Sequence, residues 1–393
     1  MNSKKNLKQN LLICLLAGSA VMYTLPLHAA TSVIGNTTLP GNILQQIGGV
    51  KPERDNVNHV LDVTQSNPNA FIKWDSFDVG GSATVNFDYT GQTNFNTLNY
   101  VNSGAASQIY GTINAQHGTY NGNIFIVNPA GVQIGNSAQI NVGSLYVSNQ
   151  NLDTVDWSSI SANTDVNTFL NKYDTHTNAE LMSLGNINAT EVTFEGDGRI
   201  VIDSERLKDV AGTEKLTADK IFVNTKDKNN VVIGYDAYEN GSYAKVDNTQ
   251  LVTLNGSEKL TKADGYMWVE DVEQLQAINT NLGGNYALRN SIDATSTANW
   301  NEVNDTYEGF NPIGLDEKTG KVIVNDNNEH GFTGNFDGLD YNIFGLTINR
   351  ENEANVGLFG VAHNANINNV TLVGGSITCL LYTSDAADDL IGV

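Results

Sequence analysis

The sequence predicts an all-β protein built as a right-handed parallel β-helix, a β-solenoid, with a few short flanking helices. Three observations carry that expectation. Short runs alternate apolar and polar residues, from Ile72, Trp74 and Phe77 through Val85, Phe87 and Tyr89 to Leu145 and Val147, and period two is the strand signal. Asn121-Gly122 is the one Asn-Gly or Asp-Gly turn pair between Ile109 and Val147, so hairpins do not join these strands. Asn makes up about one residue in seven and keeps company with Gly, Thr and Ser; it tolerates left-handed corners and stacks in ladders between rungs of chain.

The 393 residues are 40% hydrophobic and 16% charged, enough apolar chain for a core and too much for wholesale disorder. Acidic residues outnumber basic ones 43 to 21, giving a net charge of -22. That balance repels phosphate backbones and anionic membrane surfaces, so no nucleic-acid partner is expected.

Residues 1–30 read as a signal peptide. Lys4, Lys5 and Lys8 precede an apolar run from Leu11 to Leu27, and Ala29 and Ala30 offer a small-residue exit. Gly18, Ser19, Thr24 and Pro26 interrupt a run already short for spanning a bilayer. Cys14 would leave with this segment, and Cys379 alone remains. With no disulfide framework, stability must come from a regular hydrogen-bonded core.

Past Phe87 the strand runs continue as Ile109 and Ile113, Ile124 and Ile126, Val132 and Ile134, then Ile140 and Val142. Gly131-Val132-Gln133-Ile134-Gly135 suits a chain that turns a corner every few residues, each coil stacking on the last. Asn128-Pro129-Ala130-Gly131 has the chemistry of a type I turn: Asn bonds its own turn backbone, Pro presets φ, and Gly permits the exit.

These motifs resemble, in order, the secretion domain of filamentous haemagglutinin-type exoproteins: Phe71 to Gly81 (FIKWDSFDVGG), Val85-Asn86-Phe87, Ser107 to Gly111 (SQIYG) and Ile124 to Gly135 (IFIVNPAGVQIG). The resemblance covers about residues 31–150. It implies an N-terminal β-helix recognised by a dedicated outer-membrane barrel transporter with periplasmic domains, in two-partner secretion from a two-membrane bacterium. The chain would then be the N-terminal fragment of a longer adhesin, extracellular or on the cell surface, with host glycans or proteins as further partners. Asn128, Pro129 and Gly131 become the structural or secretion turn. Ala130 stands where the family usually has a second Asn, and a type I turn accepts either.

From 151 to 267 the β-helix continues with loops. Val166, Phe169, Leu170 and Tyr173 follow helical spacing behind Asp165, an N-cap, and predict a short helix packed on the solenoid. Strands return at Ile187, Val192 to Phe194, Ile200 to Ile202, Ile221 to Val223 and Val231 to Ile233. Over 268–378 the texture changes. Val272, Leu275 and Ile278, with Glu270 and Asp271 at the start, predict a second short helix. Asn311 to Gly314, Phe332 to Leu339, Ile343 to Ile348 and Val356 to Gly360 resemble the Gly-Leu-Phe-Gly-containing (GLUG-like) repeat region of bacterial surface proteins, which implies a second solenoid-like repeat module. Residues 379–393 break this texture, and Cys379 to Asp388 back-translates without mismatch to a transposon-end sequencing adapter, so the segment reads as an artefact.

No enzyme is expected. A polysaccharide lyase or glycosidase is the alternative from another class, and a contact-dependent toxin stalk is a further one. Lyase or glycosidase sites need converging acids, and the candidates are Asp153 with Asp156, Glu195 with Asp197 and Arg199, and Asp337 with Asp340. Each reads as a solvated corner. His59, His117, His176, His330 and His363 show no metal spacing and default to the surface, while Asp326 to Asp337 is a poor calcium-loop match despite Gly331. The sequons at Asn188 and Asn369 follow from composition. No metal or cofactor is expected.

Overall fold

The structure, a computed structural model, describes residues 34–379 except 92, 118–119, 205–217, 219, 245–247, 325–330, 352 and 354. The signal-peptide reading of 1–30, the adapter reading beyond Cys379, His330 and the first part of the calcium-loop match lie outside the described residues. The described residues divide into two compact units, one formed by 34–235 with 248–266, the other by 236–244 with 267–379.

The first unit is a parallel β-helix with three faces, and one row of residues shows why. Leu61, Val85, Ile113, Ile140 and Ile187 are registered partners on successive coils, and each is at most 1% exposed. Their chain neighbours Asp62, Asn86, Asn114, Asn141 and Asn188 form the next row, facing out. Period two in sequence thus becomes an apolar column inside and an amide column outside. Each buried aliphatic contributes about 1.5–3 kcal/mol. The outer column is itself bonded: Asn86 Nδ2 donates to Asp62 at 2.8 Å, Asn114 to Asn86 at 3.0 Å and Asn141 to Asn114 at 2.9 Å. On another face Asn123 donates to Asn96 at 2.9 Å and Asn96 to Asn69 at 2.8 Å.

One face carries the long strands, with Asn69–Trp74, Phe95–Val101, Tyr120–Val127, Ser144–Ser148, Glu191–Glu195 and Lys220–Asn224 in parallel register. A second face stacks Val60–Gln65, Thr84–Tyr89, Thr112–Asn114, Gln139–Asn141 and Asn186–Asn188. The third stacks Ser107–Ile109, Val132–Ile134, Leu181–Ser183, Ile200–Asp203 and Val231–Tyr235. Gln116–His117 folds back on Tyr120–Val127, so the local hairpin lies just before Asn121-Gly122, which sits inside a strand.

The ends are closed differently. Ile43–Ile47 runs antiparallel to Asn69–Trp74, Lys51–Asp55 antiparallel to Val60–Gln65, and Glu258–Thr261 antiparallel to Gln250–Leu254. Lys51-Pro52-Glu53-Arg54-Asp55 is exposed throughout. Its charges and Pro52 blunt the sheet edge it forms.

Polar groups also enter the core in satisfied pairs. Trp74 Nε1 donates to Asn99 Oδ1 at 3.0 Å and Thr97 Oγ1 to Gln65 Oε1 at 2.6 Å, with all four residues at most 1% exposed.

Between Ser148 and Leu181 the chain leaves the solenoid and returns, forming a strap over residues 150–178. Its neck is closed by Asn151 N–H donating to Thr175 O at 2.7 Å and by the Gln150–His176 bridge. The helix Val166–Leu170 forms behind Asp165, whose carboxylate accepts from Thr168 N–H at 2.8 Å. The strap lies on the outer side of the long-strand face. There Leu152, Trp157, Val166, Phe169 and Leu170 pack with Phe71, Leu98, Tyr100, Phe125 and Val127. Phe169 meets Phe71 edge-on at 5.2 Å, and Trp157 stacks on Tyr100 at 5.4 Å.

The second unit is also built of short parallel strands. Asn285–Leu288, Asn335–Asp337 and Asn366–Asn368 form one sheet, Ile292–Asp293, Asn342–Phe344 and Thr371–Val373 another, and Thr347–Arg350 with Ser376–Cys379 a third. An amide rung recurs, Asn335 Nδ2 donating to Asn285 Oδ1 at 2.6 Å. The helix Val272–Ala277 is capped by Asp271, which accepts from Gln274 N–H at 2.8 Å. Glu270 instead pairs with buried Arg289.

Candidate functional site

Asn128 follows directly on Tyr120–Val127, is fully buried, and bonds three levels of the solenoid at once. Its Oδ1 accepts from Ala130 N–H at 2.8 Å and its carbonyl from Gly131 N–H at 2.9 Å, closing the four-residue turn. Its Nδ2 donates to Ala105 O and Ser107 Oγ, both at 3.0 Å, on the preceding coil. Its own N–H donates to Ser148 O at 3.0 Å on the following coil. Pro129 presents its carbonyl to Thr177 Oγ1 at 2.6 Å, where the strap rejoins. Gly131 sits at φ +103°, and a Cβ there would meet Glu180 O at 2.5 Å. The corner is therefore closed to other side chains at Gly131.

Asn149 is the residue that the sequence reading missed. Ser148 is the registered partner of Val127, so Asn149 takes Asn128's place on the next coil. Its Nδ2 donates to Thr177 O at 2.9 Å and Ala179 O at 2.8 Å, fixing the far end of the strap. On the coil after that stands Gly196, where a Cβ would come within 2.7 Å of the Asn149 amide. The available signal was the repeated ending, Val127-Asn128 and Ser148-Asn149, each after an apolar strand.

Most of the candidate acids are held by contacts within the chain. Asp153 accepts from Tyr100 OH at 2.8 Å, and Asp156 caps the Trp157–Ser159 turn by accepting from Ser158 N–H at 3.0 Å. Asp197 pairs with Lys226 at 2.9 Å, Arg199 with Glu180, and Glu195 with His176. Asp337 accepts from Leu339 N–H and Asn369 Nδ2, both at 2.9 Å. Each of these named contacts is intramolecular.

His176 corrects the expectation of surface histidines. Its side chain is 4% exposed, with Nε2 3.3 Å from Glu195 and Nδ1 3.6 Å from Asp174. Glu195 also accepts from Asn224 Nδ2 at 3.0 Å. Burial alone would raise the Glu195 carboxyl, but the neighbouring His176 imidazole, the Asn224 hydrogen bond and the nearby Tyr146 hydroxyl outweigh it and hold the group below the usual range. Burial, reinforced by Glu195, pushes the Tyr146 hydroxyl well up. This cluster locks the neck of the strap to the long-strand face.

On the outer side of the second face a polar groove of about 580 Å³ runs from Glu53 to Asn141 over the Asp62–Asn86–Asn114–Asn141 ladder. Among the described residues no group of three or more His, Cys, Asp or Glu is placed to hold a metal ion. No helix among them is long and apolar enough to cross a membrane.

A capped parallel β-helix with buried amides at its corners defines the class, a β-solenoid. The model of the TPS secretion domain family matches residues 34–309, and the chain belongs to that family. The match runs well past residue 150, through the strap and the later coils. The chain is 32% identical over 128 residues to a heme/hemopexin-binding protein of Haemophilus influenzae, which is 32% of this chain and 14% of that protein. It is 33% identical over 146 residues to halomucin of Haloquadratum walsbyi, 35% of this chain and 1% of that protein. The chain thus spans a small part of the relatives it matches. The crystal structure of the HMW1 secretion domain from Haemophilus influenzae aligns with a TM-score of 0.30 and 14% identity, covering 86% of this chain and 74% of that one. The family is one of exoprotein secretion domains rather than enzymes, and its members are exported across the outer membrane with a partner transporter. The chain thus carries the secretion domain of a two-partner-secretion exoprotein.

Proposed function

We propose that this chain is the export-directing N-terminal part of a surface adhesin. Residues 1–30 act as its signal peptide, and a solenoid stalk with a GLUG-like repeat module over 268–378 follows the secretion domain. The observation that carries the reading is the family match over residues 34–309. The transporter's periplasmic domains engage the unfolded or edge-exposed chain by strand addition. Outside the cell, the first coils then template the later ones through nearest-neighbour contacts. The Asn128-Pro129-Ala130-Gly131 corner serves export by fixing how one coil passes to the next. Host glycans or proteins are the ligands of the mature adhesin. The 128 residues shared with the heme/hemopexin-binding protein are too small a part of it to bring its ligand along.

The test is export in a two-membrane host with and without the partner barrel. Periplasmic accumulation is expected when either the barrel or residues 31–150 are removed. Equal export of a chain lacking 31–150 would refute the assignment. Absence of reducing-sugar release from pectin and host glycans is expected of a non-enzymatic adhesin, and release would favour the lyase or glycosidase reading.

A further inference from the structure

The groove on the second face is floored by groups that hold one another and still have bonds to give. Asn86 donates to Asp62, Asn114 to Asn86 and Asn141 to Asn114. A side-chain amide carries two N–H donors and a carbonyl with two lone pairs. The ladder takes one donor and one lone pair from Asn86 and from Asn114, so on each of these coils a second N–H and a second lone pair remain beneath the open groove. Successive rungs lie about 4.7–4.9 Å apart. The bonds along the ladder fix the amide planes in advance, which spares the rotamer entropy that a flexible polar surface loses on binding.

The frame of the groove narrows what can lie in it. Glu53 on the capping strand Lys51–Asp55, Asp62 and Asp88 place carboxylates at one end, and Glu53 and Asp62 are registered partners. At the other end Gln116 is tied down by donating Nε2 to Val142 O at 2.9 Å. No Lys, Arg, aliphatic or aromatic side chain lines the groove. A sulfated, phosphorylated or uronic ligand therefore meets like charge, and an apolar one finds no apolar partner. A cationic peptide would use the carboxylates but not the amide rungs. Vicinal hydroxyls, each able to donate and accept, use both.

We propose that this groove binds an uncharged glycan chain laid across the coils, with successive sugar rings over successive amide rungs. The inference rests on the adhesin reading above and narrows it, to a neutral polysaccharide as ligand and to the second face as its place. Export does not depend on it.

The test titrates the full chain calorimetrically with cellohexaose, mannohexaose and N-acetylchitohexaose, with their disaccharides, heparin and hexalysine beside them. At least one neutral hexasaccharide should bind about tenfold more tightly than its disaccharide, and heparin should not bind. Asn114→Ala removes a rung and should weaken that binding about tenfold. Asn123→Ala breaks the corresponding ladder on the long-strand face and should leave it unchanged. If no neutral hexasaccharide binds, or if heparin or hexalysine binds more tightly, the proposal is overturned. Equal loss in both variants assigns the effect to stability and overturns it too. Attachment of the chain to cultured epithelial cells, measured in parallel, separates this from the adhesin reading. Attachment that survives Asn114→Ala removes the groove alone, and an unaltered chain that neither attaches nor binds a glycan removes both.

Discussion

Asn149 stands one coil after Asn128 in the same inward row, and each amide donates to two acceptors at the same corner of its coil. One closes the turn into Val132–Ile134. The other holds the place where a long excursion comes back to the same face.

Replacing Asn128 with Ile removes the bonds to Ala105, Ser107 and Ala130 and leaves buried backbone groups unmatched. The expected cost is about 1–3 kcal/mol, read as reduced export and faster proteolysis. Ala130→Asn should be neutral, because Ala130 is only half buried and contributes its backbone N–H to the turn. Normal export and protection of Asn128→Ile would make Asn128 a corner residue only.

Asn149→Ala should free the end of the strap at Thr177 and Ala179 without touching the turn at Asn128. A loss of about 1–3 kcal/mol is expected in denaturant unfolding. Faster hydrogen exchange should be confined to 150–178 and the strands flanking it. Exchange spread evenly over the coils would contradict a local role.

Gly131→Ala places a side chain at φ +103° and 2.5 Å from Glu180 O. Strain of about 1–3 kcal/mol is expected, and it should appear as a lower Tm. Gly104→Ala, where a Cβ meets nothing within 4 Å, is the control and should leave Tm within a degree or so.

Because the folded Glu195 carboxyl is held below its ordinary value, its share of stability is present above about pH 4.5. That share is lost as pH falls through the lowered folded value. Protease cleavage within 150–178 should therefore rise on acidification below pH 4 or so, and Glu195→Gln should flatten that rise. An unchanged pH profile in the variant would place the sensitivity elsewhere.

The alternation at Val85 and Phe87 or Ile140 and Val142 made the strands legible, and Pro129 with Gly131 made the first corner legible. Asn149 has no Pro after it, so nothing local marked it as a corner. The first strands escaped because Lys51 to Asp55 has no buried side at all. The helix behind Asp165 could be read from spacing, but its destination could not. The hint was Ile124-Phe125-Ile126-Val127, an unbroken apolar run of the kind found where both sides of a sheet are covered. His176 was read as a surface residue because its partner Glu195 lies on another coil.

The neck at residues 149–151 and 175–177 also describes where this architecture tolerates change. From the long-strand face to the third face the chain goes from Val127 to Val132 in one coil and from Ser148 to Leu181 in the next. Yet Val132 remains opposite Leu181 and Gln139 opposite Asn186. Length is free at this corner while register is not, as expected when added loop costs little and rungs are set by stacking. The corner is a graft point: a foreign peptide of similar length, given its own apolar underside, could be carried there without moving a single rung.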